Sequence, residues 1–289
     1  MPITLPKGYS QVLDEVYKAA SVSQVLDSGM EGLRETVNVN EFLYPHMSIG
    51  GLGDYDRAGG YAANQGVTLE WKTATADYDR GTKINVDYVD NQETFDLAFG
   101  KSVGILMREH VAPEADAWTF AKLAGKTGIT KDAGDIADGE ALLKKILEAC
   151  SRMDENEVPD DQRYLFITPT LLNSVKALDT TKSREALDGF AATIKVPQSR
   201  FVTAIDLLDG KTTGEEIGGW KKSATAKNIH FMIVHKPAVI KYDKHVAGPT
   251  VIAPEANPNS DAYIVKYRKY GLLDVYENKL AGIYMHTEA

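Results

Sequence analysis

The side chains with the most chemical reach are three Gly-Lys-Ser/Thr triplets, a glycine-dense stretch and a set of aspartate pairs. The triplets are Gly100-Lys101-Ser102, Gly125-Lys126-Thr127 and Gly210-Lys211-Thr212. A phosphate-cradling loop needs another glycine five residues before the glycine–lysine pair, so that backbone N–H groups can wrap the anion. Those positions hold Phe95, Phe120 and Ile205, and all three triplets fail. The stretch 48–66 contains Gly50, Gly51, Gly53, Gly59, Gly60 and Gly66. Its Gly51-Leu-Gly53-Asp-Tyr-Asp run lacks the third glycine of a dinucleotide fingerprint, carries two carboxylates and opens no helix. It reads instead as a long excursion, and long loops without a core of their own tend to be functional or moving parts.

Asp54, Asp56, Asp77, Asp79, Asp87 and Asp90 invite a calcium reading. The pattern does not continue: Ala58 and Gly59 follow Asp54 and Asp56, and Gln65 stands where a bidentate Glu is required. A solvated, salt-bridging role fits better. Arg57 and Arg80 each follow an Asp-Tyr-Asp step, which suits pairing between copies. The six histidines include no HExxH and have no companion cysteines. His230 and His235 flank an apolar run and read as structural or surface residues. No Gly-x-Ser-x-Gly elbow occurs, and Asp160 and Asp161 are neighbours in a loop that point apart. The 14 tyrosines lie along strands rather than among basic residues, so base stacking is unsupported. No catalytic residue, cofactor site or metal site emerges, and the chain is not read as an enzyme.

The totals agree. The 289 residues suffice for two domains or one elaborated domain, with ordinary globular composition of 43% hydrophobic and 25% charged residues. A single cysteine, Cys150, rules out a disulfide framework and reads as a small buried hydrophobe. The start MPITLPKGYSQVLDEVYK resembles no signal peptide, and no apolar run approaches ~20 residues, so no membrane span is expected. A net charge of −9 argues against gripping nucleic-acid phosphates over a broad face, but suits a non-adhesive container.

The elements that hold these residues centre on 77–126. Ile84, Val86 and Tyr88 alternate with Lys83, Asn85 and Asp87, as in a half-buried strand. From Thr94 the period becomes helical, through Phe95, Phe99, Val103, Leu106 and His110. Pro113 should kink or restart this helix, and the restart has Glu114 and Asp116 in its first turn and Lys122 and Lys126 near its end. As one helix, 94–124 would be roughly 45 Å long at ~1.5 Å per residue, a spine rather than a pocket wall. Before it, Tyr9–Ala19 and Val22–Leu26 form a thin helical arm that must lie on the body or on a neighbour. Glu35–Tyr44 reads as a strand ended by Pro45. Val67–Thr73 alternates and, with Thr82–Val89, gives a two-stranded tongue. An isolated hairpin is marginal in water, so the tongue should rest on another subunit. After the spine come a helix over 136–156 capped by Asp138, with a stripe of Leu143, Ile146, Leu147, Cys150 and Met153. A strand at 164–167, a helix starting at Thr168-Pro169, and strands at 201–205 and 229–234 follow, with 210–219 as a polar loop. The proline-bearing segment 248–259 reads as a connection. Tyr263–Met285 reads as a terminal sheet on the spine, interrupted at Gly271.

GLGDYDRAGGY (51–61), VTLEWKT (67–73), DYDRGTKINVDYVDNQET (77–94) and REHVAPEADAWTFAKLA (108–124) resemble, in that order, the major capsid proteins of tailed bacteriophages of the Gram-positive phage and prophage type. The resemblance is good over 36–124 and architectural beyond. It implies an α+β, Hong-Kong-97-type phage capsid fold: an N-terminal arm (1–34), a peripheral domain (35–126) with an extended loop at about 47–83 and a spine helix at about 94–124, an axial domain (127–247), and a C-terminal return to the peripheral domain (248–289). It also implies a structural coat protein that self-assembles as hexamers and pentamers into an icosahedral shell around phage DNA, without sequence-specific binding. Its partners would be copies of itself, a scaffolding protein, the portal and decoration proteins. The arm begins at once, so the scaffold is expected as a separate protein. The location would be the virion, after assembly in the bacterial host cytoplasm. Candidate intersubunit contacts are Asp54, Asp56, Arg57, Trp71, Lys72, Asp79 and Arg80. By position alone, Lys72 and Lys83 could crosslink to a neighbour's asparagine, or be ordinary surface lysines. Two alternatives stand: an encapsulin-like nanocompartment shell on the same fold, and an acidic α/β enzyme with an unrecognised site.

Overall fold

The runs 163–167, 229–235 and 283–287 are too apolar to leave either face to water, and the structure buries both. The computed structural model describes residues 21–29, 32–36, 41–61, 66–88 and 104–289. Its central five-stranded sheet has the order β5-β13-β10-β6-β7, formed by β5 (Thr130–Ala133), β6 (Arg163–Ile167), β7 (Ala192–Lys195), β10 (Ile229–His235) and β13 (Ile283–Thr287). The β10–β6 and β10–β13 pairs are antiparallel, and the two outer pairs are parallel. Side chains alternate through this sheet. Leu165, Ile167, Phe231, Ile233 and Tyr284 pack with α2 (Gly139–Glu155), α3 (Pro169–Ala177) and α4 (Thr181–Asp188). Phe166, Met232, Val234, Ile283 and Met285 pack on the opposite face against Trp118, Phe120 and Leu123 of α1 (Ala112–Gly125).

Several local expectations hold. Asp138 caps α2 by accepting from the Ala141 N–H at 2.8 Å, which satisfies one of the helix's orphan donors. Leu143, Ile146 and Met153 are buried along its inner face, whereas Leu147 is 47% exposed. Thr168 and Pro169 open α3 as read, although the Thr168 hydroxyl makes no capping bond. Gly139 lets α2 approach α3: a Cβ there would lie 2.4 Å from the Ser174 carbonyl oxygen.

The second sheet has the order β11-β12-β4, from β4 (Tyr78–Asp87), β11 (Val239–Ile252) and β12 (Ala262–Val275). It corrects four expectations. The 82–87 strand pairs with β12, from Asp87↔Ala262 to Tyr78↔Gly271, and takes no part in a tongue with 67–73. The prolines at 249 and 254 do not make 248–259 one connection: β11 runs to Ile252, with shifts of register at 245–250. Gly271 does not interrupt β12; a Cβ there would meet Asp243 at 3.2 Å and Tyr78 at 3.3 Å, so a glycine keeps the strand packed rather than breaking it. Nor is Tyr263–Met285 one sheet, because β13 joins the five-stranded sheet. The 201–205 strand is reduced to a Val202–Asn228 bridge followed by β8 (Ile205–Leu207), which pairs with β9 (Trp220–Lys222).

Pro113 neither breaks nor restarts the spine. A π-helical segment, Leu106–Val111, leads into α1 with Val111 and Ala112 both in helical backbone (φ −69°, ψ −49° and φ −66°, ψ −46°). Widening the turn before a proline accommodates the ring and the lost N–H without a break. The part of the spine expected over 94–103, and the arm helix expected over 9–19, lie outside the described residues. Met107, Ala112 and Ala115 pack on Val265 and Tyr267 of β12, and α1 is buried on nearly all sides, as expected of a helix sandwiched between layers.

Two acids of α1 are buried with it. Asp116 is fully buried and accepts from Ser21 Oγ (2.8 Å), Val22 N (3.1 Å), Ser23 N (3.0 Å) and an Arg200 guanidinium nitrogen (2.8 Å). Glu114 accepts from Tyr78 Oη (3.1 Å) and Arg80 Nε (2.7 Å). The arm from Ser21 to Ser28 therefore lies on its own body: Leu26 is buried, and Asp27 pairs with Lys241, itself 2% exposed beside Asp243 and Lys269.

Candidate functional site

The tongue is built from β2 (Glu41–Ile49) and β3 (Val67–Thr75), paired antiparallel from Glu41↔Thr75 to Ile49↔Val67. Val67–Thr73 is thus a strand as expected, with an earlier partner than expected. Pro45 does not end β2. The short β1 (Arg34–Glu35) covers only Phe42 and Leu43, so among the described residues β2 has no partner on that side at Pro45 and tolerates a missing donor there.

Directly opposed residues of an antiparallel pair share a face, and alternate residues take opposite faces. At the root, Phe42, Tyr44 and Ala74 are buried with Ile240, Tyr270 and Leu272 of the second sheet. Tyr44 stacks edge-on against Tyr276 at 5.3 Å, and burial pushes its phenol up to about 12. Further out the same face turns polar, with Tyr44↔Lys72, His46↔Glu70 and Ser48↔Thr68. The opposite face carries Pro45↔Trp71, Met47↔Leu69 and Ile49↔Val67. Five of these six are large and open to solvent: Met47 55%, Ile49 62%, Val67 61%, Leu69 51% and Trp71 41%. The Arg34 guanidinium sits over the Trp71 ring at 4.6 Å.

At the tip, Asp56 builds a turn. Its carboxylate accepts from the Ala58 and Gly59 N–H groups at 3.0 Å each, and its backbone bridges Gly60. Gly60 takes φ +81°, which favours glycine. Tyr55 and Tyr61 pack edge to face at 5.0 Å, and both are exposed, as is Leu52.

The structure distributes the seven candidate residues as follows. Asp54, Asp56 and Arg57 lie on the exposed tip, Asp56 committed to its turn. Trp71 belongs to the apolar face. Lys72 pairs with Glu277 (3.3 Å) and Glu70 (3.8 Å). Asp79 receives both a 2.8 Å and a 2.5 Å bond from Arg268, which holds its carboxyl below the usual range. Arg80 reaches Glu114 and the Gly219 carbonyl. Lys72, Asp79 and Arg80 thus have partners within the chain, Lys72 and Asp79 remaining part-exposed, while the tip and Trp71 face outward. The residues that sequence reasoning passed over are Pro45, Met47, Ile49 and Leu69; the alternation of Val67, Leu69 and Trp71 was visible, but without its partner strand it did not reveal a face. Among the described residues no three of His, Cys, Asp or Glu gather to hold a metal ion, and no described helix is long and apolar enough to cross a membrane. A cavity of about 650 Å³ between α3, α4 and β7 is lined by Lys176, Arg184 and Lys195 together with Asp179 and Asp188; it is of mixed charge and open, and shows no nucleophile–base pair.

No family model matches the sequence, and no curated protein matches it. Solved structures do match the fold. The Gordonia phage Cozz structure has a TM-score of 0.61 at 10% identity, over 93% of this chain and 86% of that one. The capsid structure of cyanophage P-SCSP1u has a TM-score of 0.57 at 13% identity, over 91% and 86%. The virus-like particle from Pyrococcus furiosus has a TM-score of 0.53 at 11% identity, over 96% of each chain. Identities this low speak to architecture, and that architecture is the α+β, Hong-Kong-97-type phage capsid fold.

Proposed function

We propose that the chain is a shell-forming structural subunit, the major capsid protein of a tailed phage, which assembles with its copies into hexamers and pentamers of an icosahedral shell enclosing phage DNA. The observation that carries this is the tongue: a two-stranded ribbon rooted in its own body whose outer half presents one apolar face to solvent. Complete burial of such a side chain is worth ~1.5–3 kcal/mol. With five side chains about half exposed, a partner surface would recover on the order of 5 kcal/mol. A monomer gains none of it, and on the capsid reading the partner is another copy. Exposed apolar faces of this kind mark interaction sites.

The sheets support a division into a peripheral unit of β4, β11, β12 and the spine, and an axial unit around the five-stranded sheet. On this division β11 moves to the peripheral unit and β13 to the axial one, away from the boundaries at 247 and 248. The role is structural, without turnover. Scaffolding, portal and decoration proteins would be partners, assembly would occur in the host cytoplasm, and the virion would be the final location. The candidate contacts between copies are Asp54, Arg57, Trp71 and the apolar face around it.

A second reading, an encapsulin-like nanocompartment, draws on the likeness to the Pyrococcus virus-like particle. Negative-stain microscopy of the expressed chain tests both readings: shells, tubes or capsomer rings are expected. A dispersed monomer with no assembly in any expression background would overturn them. Co-purification of scaffold, rather than of a cargo enzyme, selects the phage reading.

A further inference from the structure

His230 and His286 form a contact that the capsid reading does not use. β10 shifts register between Ile229 and Phe231, so His230 is the bulge residue, and a bulge re-aims its side chain. Here it turns the ring onto His286 of β13. The rings are stacked with centroids 5.3 Å apart, and the two Nδ1 atoms are 3.2 Å apart. His286 is 1% exposed and lies flat on Phe231 at 5.4 Å, which in turn stacks on Tyr284. His230 is half-buried.

Two nitrogens at that separation are a donor and an acceptor, so one must carry a hydrogen and the other a lone pair. A first proton can enter at the Nε2 of His230 without disturbing this. A second puts two N–H groups face to face in a buried seam. We propose that the His230–His286 pair is an acid-released catch, which holds the C-terminal strand β13 on β10 while at most one ring is protonated and lets the seam open when both are.

The surroundings allow this. α2 contributes Lys145 and Glu148, with Arg152 over the neighbouring Tyr284 ring, β5 and its exit contribute Asp132 and Asp135, and Glu288 with Lys222 closes the end. Lys145 is tied to Asp132 (3.5 Å) and Glu148 (2.8 Å), and Asp132 also accepts from Tyr284 Oη at 3.2 Å. Burial pushes Asp132 up, but the Lys145 charge and the Tyr284 hydroxyl outweigh it and hold its carboxyl low. The Asn228 N–H does the same for Glu288. Both carboxylates therefore stay charged while the histidines titrate. Burial lowers the affinity of both rings for a proton, and for His286 the neighbouring His230 lowers it further.

The sign follows. An unfolded histidine binds a proton below about pH 6.5, and a ring kept neutral in the fold does not, so stability is complete above that pH and falls below it. Each withheld proton shifts the opening equilibrium about tenfold per pH unit, and because the closed pair accepts the first proton, it is the withheld second one that sets this slope.

Hydrogen–deuterium exchange of the full chain between pH 7.5 and 5.0, corrected for intrinsic rates, tests this on peptides covering 228–235 and 283–289. Wild-type protection of both peptides is expected to fall more than tenfold, while α1 stays protected. His286→Phe keeps the stack on Phe231 and should cut the fall to that of a single ring. His230→Phe should do the same from the other strand, which preserves the test if one variant does not fold. No fall in the wild type, or an undiminished fall in the variants, overturns the proposal.

Discussion

Asp116→Ala is the perturbation whose consequence can be worked out most fully. The carboxylate is fully buried and takes four donors: Ser21 Oγ and Ser23 N on one oxygen, Val22 N and Arg200 on the other. Truncation leaves two backbone N–H groups without their acceptor and removes one ionic partner of Arg200, whose side chain is 19% exposed. Breaking a buried ion pair from one side costs ~3–5 kcal/mol, and a hydrogen bond to a charged group contributes ~1.5–3 kcal/mol. These overlap, and the arm can relax, so about 4 kcal/mol is expected out of a typical total of ~5–15 kcal/mol. Asp116→Asn keeps an acceptor oxygen and should lose about half as much. Trp118, two residues away and 7% exposed, reports by fluorescence in a urea titration. Exchange at 21–28 should rise in both variants. A loss below about 0.5 kcal/mol for Asp116→Ala, or unchanged protection at 21–28, would refute the reading of Asp116 as the arm's anchor. An Arg200→Ala, Asp116→Ala cycle should show coupling above ~1 kcal/mol.

Other outcomes follow from single contacts. Gly139→Ala should cost about 1–3 kcal/mol in urea unfolding, because its Cβ would press on the Ser174 carbonyl oxygen at 2.4 Å and α2 must lift from α3. Burial pushes the Cys150 thiol up to about 11, so it should resist iodoacetamide at pH 8 and react only when urea unfolds the chain. Asp209 is held at about 2, first by the Thr212 hydroxyl and then by the Thr212 and Lys211 N–H groups. Its contribution to the 209–215 loop is present above the unfolded carboxyl value near ~4 and lost as pH falls through 2. NMR of the Lys211 and Thr212 amides should show that loss in wild type and no such transition in Asp209→Asn.

What could be read from the chain depended on how local the cause was. Asp138 and the Leu143–Ile146–Met153 stripe are set within one helix, and both were legible. Val67-Leu69-Trp71 announced a strand, but alternation says nothing about which strand lies opposite; 41–49 and 82–87 both alternate. Only the register revealed that Met47 and Ile49 share a face with Leu69 and Val67. Asp116 and Glu114 looked like first-turn acids matched to a helix dipole. Their burial depends on chain 21–28 and on Arg80 and Arg200, which no window around α1 contains. The effect of the two prolines was non-local for the same reason. Among the described residues Pro45 has no partner on one side, and Pro113 is absorbed by a π-helical turn, so each breaker was accommodated by geometry supplied elsewhere.

Sedimentation velocity of Met47→Asp/Leu69→Asp against the wild type, in one expression background, tests most directly whether the tongue's apolar face exists for a second copy. Both side chains lie beyond the buried root, so the variant's urea midpoint should match the wild type's. It should sediment as free subunits where the wild type sediments as capsomers or shells. Assembly of the variant at the wild-type level, with the fold intact, would contradict the account.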